Sequence, residues 1–181
     1  MDTIGFIELS SIAGGIETAD GMLKTASVNL IFAKASCPGK YYILINGQIA
    51  NVEKSIKFGT VTGGGFVVSS LVLPRVHPKV IAALNMAGMP DRIEAVGVME
   101  FFSVTASLIA ADTAVKAALV DIVDIRLGTG IGGKSFVVVS GDTSSVKTAV
   151  DAASAVRSDE GMLVNKAVIS KPDKKLISSL F

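Results

Sequence analysis

Ile4-Gly5-Phe6-Ile7-Glu8-Leu9 returns 92 residues later as Val96-Gly97-Val98-Met99-Glu100-Phe101. At the same spacing Ser11 returns as Ser103, Ala19-Asp20 as Ala111-Asp112, Lys24 as Lys116 and Val28 as Val120. The register then slips by two, matching Gly39-Lys40 with Gly133-Lys134 and Asn46-Gly47 with Ser140-Gly141. A further slip aligns Gly65-Phe66-Val67-Val68 with Gly161-Met162-Leu163-Val164, and Arg75 with Lys171. Insertions confined to two places are what loops tolerate and packed elements do not. The chain therefore reads as one small domain written twice, residues 1–90 and 91–181, with Met86-Ala87-Gly88-Met89-Pro90-Asp91-Arg92 as the Gly- and Pro-containing linker.

Within each copy the order is βαββαβ followed by a short helix. Thr3–Leu9 alternates and is rich in β-branched residues, so it predicts a strand. Gly14–Ala26 carries Ile16, Ala19, Met22, Leu23 and Ala26 at helical intervals. Strands are predicted at Val28–Lys34, Lys40–Asn46 and Phe66–Leu73, a helix at Gln48–Phe58, and a short helix at Lys79–Asn85. The second copy runs from Glu94–Phe101 through an alanine-rich helix, Ser107–Ala118, to Met162–Ile169 and a basic tail. This order implies an α+β class: two tandem ferredoxin-like domains, each a four-stranded antiparallel sheet with helices on one face, the split βαβ arrangement.

The composition narrows the function. A net charge of +1 carries no electrostatic footprint for nucleic acid or an anionic membrane. Half of the 181 residues are hydrophobic and only 18% charged, yet no apolar run approaches the roughly 18 residues needed to span a bilayer. Met1-Asp2 opens directly into a strand-like segment, without a basic region or an apolar signal segment. The excess of apolar residues then implies large protein–protein interfaces and an obligate oligomer.

Few residues are equipped for chemistry. Cys37 is the single cysteine, which excludes an internal disulfide and fits a reducing compartment, and His77 is the single histidine. His77, ahead of Pro78, reads as a turn or helix-start residue, and Glu8 and Glu100 as structural acceptors at strand ends. No carboxylate pair presents itself as an acid–base couple, so no catalytic residue is assigned.

Gly128-Thr129-Gly130-Ile131-Gly132-Gly133-Lys134-Ser135 fits the phosphate-loop pattern letter for letter. That mechanism needs a helix after the loop, and Phe136-Val137-Val138-Val139 reads instead as a strand. A glycine-rich hairpin loop is the simpler reading. Cys37 occupies the corresponding loop of the first copy, among Ser36, Pro38, Gly39 and Lys40. Two readings stand for it. One is a small buried hydrophobe. The other is an accessible thiol, near Lys34 and Lys40, whose three copies about a symmetry axis would supply three thiolates to an iron–sulfur cluster with one iron position open.

The repeat of [IV]-G-x-[IM]-E, followed by A-D-x-x-[LV]-K and, near the C-terminus, [AV]-V-I-x-x-P, resembles the bacterial microcompartment shell domain. Two copies in unpermuted strand order resemble the tandem-domain members of that family. The Cys37-Pro38-Gly39-Lys40 loop, with Gly130-Ile131-Gly132-Gly133-Lys134 in the second copy, is similar to the T-type branch found in propanediol-utilisation compartments. The resemblance implies a homotrimer shaped as a pseudo-hexamer, tiling with other shell proteins around an enzyme lumen and catalysing nothing. It implies tile-edge contacts at Lys24, Lys116, Arg75 and, more loosely, Lys171, where the family has an arginine. It also implies a central pore lined by Ser36, Cys37, Pro38 and Gly39 and by Gly130, Ile131 and Gly132. There one [4Fe-4S] cluster per trimer would be held by one Cys37 per chain, for electron transfer across the shell or cluster delivery to redox enzymes in the lumen or cytosol. Three rivals compete with this expectation: an open pore conducting a small metabolite, a nucleotide-binding enzyme using Lys134 and Ser135, and a small-ligand sensor.

Overall fold

A computed structural model describes residues 3–85, 93–156 and 162–179, so the linker segment 86–92 lies outside the described residues. The repeat is realised element by element. The first copy comprises β1 (Thr3–Leu9), α1 (Ile12–Thr25), β2 (Asn29–Ser36), β3 (Lys40–Gly47), α2 (Ile49–Gly63), β4 (Val67–Leu73) and α3 (Pro78–Leu84). The second comprises β5 (Ala95–Phe101), α4 (Val104–Ala117), β6 (Asp121–Leu127), β7 (Ser135–Gly141), α5 (Thr143–Ser154), β8 (Leu163–Ser170) and α6 (Lys174–Ser179). Each set of four strands forms one antiparallel sheet, ordered β2-β3-β1-β4 and β6-β7-β5-β8. No helix among the described residues is long and apolar enough to cross a membrane.

The glycine of the repeated motif is explained by packing. A Cβ on Gly5 would lie 2.7 Å from Val52 Cγ1 of α2, and one on Gly97 would lie 2.5 Å from Val150 Cγ2 of α5. The helix sits directly on the central strand at that point, and only a residue without a side chain fits. Around it Ile7, Leu9, Ala19, Met22, Ile43, Ile45, Val52 and Ile56 form the core between sheet and helices. On the opposite face of β1, Ile4 and Phe6 are also buried, and the Phe6 and Tyr42 rings pack in a T-shaped pair with 5.5 Å between centroids.

Most element boundaries shift by a residue or two from the sequence expectation, and three of the shifts have a clear physical cause. Helix α2 continues five residues past Phe58, because Gly59 and Gly63 are buried against the core and tertiary packing outweighs their weak helix propensity. Phe66 belongs to a single 3₁₀ turn, Gly64–Phe66, and β4 begins one residue later. Helix α4 starts at Val104 because Ser103 caps it, its side chain accepting from the Ala106 N–H as Ser11 accepts from Gly14 in α1. The basic tail is partly helical: Asp173 accepts from the Lys175 N–H and opens α6.

Two compact units result. The first contains Met1–Pro78 together with Gly128–Gly133, and the second contains Lys79–Leu127 together with Lys134–Phe181. From Lys79 onward helix α3 thus belongs to the second unit, and the loop after β6 belongs to the first.

Candidate functional site

The Cys37 loop is a tight connection between β2 and β3, whose pairing runs to Ser36 opposite Lys40. It passes through a cis Cys37–Pro38 peptide and through Gly39 at φ +69°. Cys37 is a free, half-buried thiol, while Pro38 and Gly39 are exposed. Within the same unit Gly128–Gly133 lies against this loop. The Ser36 hydroxyl is 3.4 Å from the Thr129 hydroxyl, and a Cβ on Gly133 would sit 3.2 Å from the Cys37 carbonyl oxygen. The structure therefore brings the two glycine-containing loops, equivalent in the repeat, into one place beside Cys37. Gly130 and Gly132 are exposed and Ile131 half-buried, and at Gly39, Gly130 and Gly132 nothing lies within 4 Å of where a Cβ would be.

Beneath the loop lies one residue that the sequence did not single out, Tyr42. Tyr42 is fully buried and its hydroxyl has no hydrogen bond of acceptable geometry, although the Ser36 hydroxyl is nearby. Burial raises the phenol pKa above its ordinary value, and the Ser36 hydroxyl pulls it the other way. The equivalent residue of the second copy is Phe136, so the hydroxyl is peculiar to the cysteine-bearing loop. A tyrosine where the repeat has phenylalanine was the one available signal. The cations near Cys37 are committed elsewhere: Lys40 pairs with the buried Glu8 carboxylate, which also accepts from Ser69 Oγ at 2.9 Å, and Lys34 lies 4.5 Å above the Phe32 ring.

The phosphate-loop pattern does not build a phosphate site. β7 follows the loop directly, Lys134 Nζ donates to Glu100 at 2.7 Å, and the buried Ser135 hydroxyl donates to the Ser103 carbonyl at 2.8 Å. Among the described residues no group of three or more His, Cys, Asp or Glu side chains is placed to hold a metal within one chain.

The four edge candidates occupy repeated positions. Lys24 pairs with Asp20 and Lys116 with Asp112, each at 2.5 Å across one helical turn. Arg75 and Lys171 both sit in the left-handed region, at φ +52° and +51°, where β4 and β8 end. A non-glycine residue seldom adopts that backbone, so its exact recurrence marks one turn built twice. His77 is half-buried and immediately precedes α3, the helix-start position expected of it.

Comparison with known proteins agrees with this architecture. The BMC domain model matches residues 3–76 and again 95–172. The chain is 43% identical over 173 residues to the bacterial microcompartment shell protein PduT of Citrobacter freundii, covering 96% of this chain and 94% of that one. It is 30% identical to the carboxysome assembly protein CcmO of Synechococcus elongatus, covering 98% of this chain and 68% of that one. A crystal structure of a microcompartment protein from Desulfitobacterium hafniense DCB superposes with a TM-score of 0.95 at 47% identity, over 98% of this chain and 99% of the other. Two BMC domains in unpermuted order and near-full-length relatives of the same build lead to one conclusion: this chain belongs to the BMC-domain family of bacterial microcompartment shell proteins, as a tandem-domain member.

Proposed function

We propose that this structural shell protein works as a homotrimer whose three Cys37 side chains meet at a central pore and hold one [4Fe-4S] cluster. In this reading the chain catalyses nothing. It tiles with other shell proteins at the compartment boundary in the cytoplasm and serves electron transfer across the shell or cluster delivery to redox enzymes. The observation that carries the reading is the situation of Cys37: a half-buried thiol in a tight loop, with uncrowded glycines beside it and a second glycine loop packed against it. The donor set fits such a group only when shared, since one chain has one thiol and, among its described residues, no three-ligand constellation. Three chains would supply three thiolates and leave one iron position open.

In that arrangement Cys37 Sγ is the ligand. Pro38 and Gly39 keep side-chain bulk away from it, and Ser36 and Thr129 present hydroxyls next to the loop. The cluster would supply one-electron transfer. The test is anaerobic purification followed by iron and acid-labile sulfide assays with solution mass. Near-stoichiometric cluster per trimer is expected, lost in Cys37→Ser while the trimer remains. A colourless, iron-free trimer under those conditions overturns the cluster and leaves an open pore passing a small metabolite as the function.

A further inference from the structure

The two repeats share a fold but not a pattern of burial. On α4, Val104, Leu108 and Val115 are buried, while Ile12, Ile16 and Leu23 at the same positions of α1 are exposed. At the head of the edge strands, Ile122 of β6 is 6% exposed and its counterpart Leu30 of β2 is 44% exposed. In the short helices, Val80 of α3 is 0% exposed and its counterpart Leu176 of α6 is 41% exposed. The same surface is thus covered in one repeat and bare in the other.

The covered version shows part of how it is closed. Within the second unit Lys79 of α3 reaches the head of β6: its Nζ donates to the Val120 carbonyl at 2.8 Å and pairs with Asp121 at 2.7 Å. Val80 follows Lys79 and Ile122 follows Asp121, and both are buried. In the repeat, Lys175 and Leu176 of α6 stand where Lys79 and Val80 stand, and Val28, Asn29 and Leu30 stand where Val120, Asp121 and Ile122 stand. Leu176 and Leu30 are both exposed, so the two halves of the equivalent contact are each left bare.

We infer that α6 is an intersubunit clasp that docks on the head of β2 in a second copy of this chain. Lys175 meets the Val28 carbonyl and Leu176 is buried beside Leu30. The occupant is a copy of the chain because both halves of the contact are written in it, one at each end. A contact between unlike surfaces runs head to tail and closes into a ring when the rotation permits. The inference rests on the trimer proposed above and assigns its contact. It also contains an asymmetry: Asn29 stands where the internal version has Asp121, so Lys175 gains a hydrogen bond without an ion pair.

The test is sedimentation velocity of the full-length chain in a dilution series. Leu176→Asp and, from the other side, Leu30→Asp are expected to raise the concentration at which the trimer dissociates by tenfold or more. Both positions are exposed, so the circular dichroism and melting of the dissociated chain remain those of wild type. Asn29→Asp is expected to lower the dissociation concentration severalfold, and adding Lys175→Ala to it removes the gain. A wild-type trimer that neither leucine variant weakens overturns the clasp and leaves the trimer reading standing. A wild-type chain that stays monomeric at high concentration overturns both.

Discussion

The Tyr42 hydroxyl occupies the space that a side chain on Gly128 would need: an ideal Cβ there would collide with it. Gly128 stands at φ +68°, so two independent constraints exclude any other residue. Gly128→Ala is expected to destabilise the fold by about 2–4 kcal/mol, combining left-handed strain with overpacking. Tyr42→Phe removes a buried hydroxyl that lacks a hydrogen bond, so alone it is expected to be close to neutral or slightly stabilising. The double variant should therefore lose less than Gly128→Ala alone. Urea denaturation of the four proteins reads the coupling, and strict additivity would show that the hydroxyl is not what Gly128 accommodates.

The repeated Glu–Lys pair provides a second test. Glu8 is 6% exposed at its side chain and pairs with Lys40, whereas Glu100 and Lys134 are 33% and 43% exposed. Lys40→Met strands a buried carboxylate and is expected to cost about 3 kcal/mol, while Lys134→Met should cost less than about 1 kcal/mol. Adding Glu8→Gln to Lys40→Met should recover part of the loss. Equal effects at the two sites, by denaturation midpoint, would contradict the burial difference.

Asp142 caps α5 and is held well below the usual carboxylate range, first by the Ser144 hydroxyl and then by the Ser145 hydroxyl and N–H. A depressed folded pKa gives stability that is present above the unfolded carboxyl pKa of about 4 and is lost as pH falls through the folded value. Asp142→Ala is therefore expected to lower the melting temperature more at pH 7 than in strong acid. Paired thermal melts at the two extremes check the sign.

Lys24 and its partner Asp20 are both exposed, so their pair adds little to the fold. Lys24→Ala should leave stability within about 0.5 kcal/mol of wild type. If Lys24 is a tile-edge contact, the same substitution abolishes extended two-dimensional sheets under the electron microscope while the trimer mass persists. Sheets of normal extent would remove Lys24 from the edge.

Much of the architecture was legible because the chain repeats itself. The Ile-Gly-x-Ile-Glu segment and its echo announced two copies of one fold, and the glycine in each has a local reason: α2 and α5 lie on the central strand. Element ends were less legible. Whether α2 stops at Phe58 or continues depends on Gly59 and Gly63 being buried, and the local sequence of those residues argues against a helix. Of the candidate site, Cys37 and both glycine loops could be found by alignment of the halves, but Tyr42 could not be assigned a place beside them. Its relevance comes from strand register, which sets it beneath Ser36 and Gly128.

What the sequence alone determined, then, is that each half folds as βαββαβ and that one half carries a thiol where the other carries glycines, because periodicity and turn residues act locally. Only the tertiary structure decided which of two equivalent residues is covered. Leu30 and Ile122, or Glu8 and Glu100, are similar in sequence yet differ in exposure, because burial depends on what packs against a position and no local pattern records that.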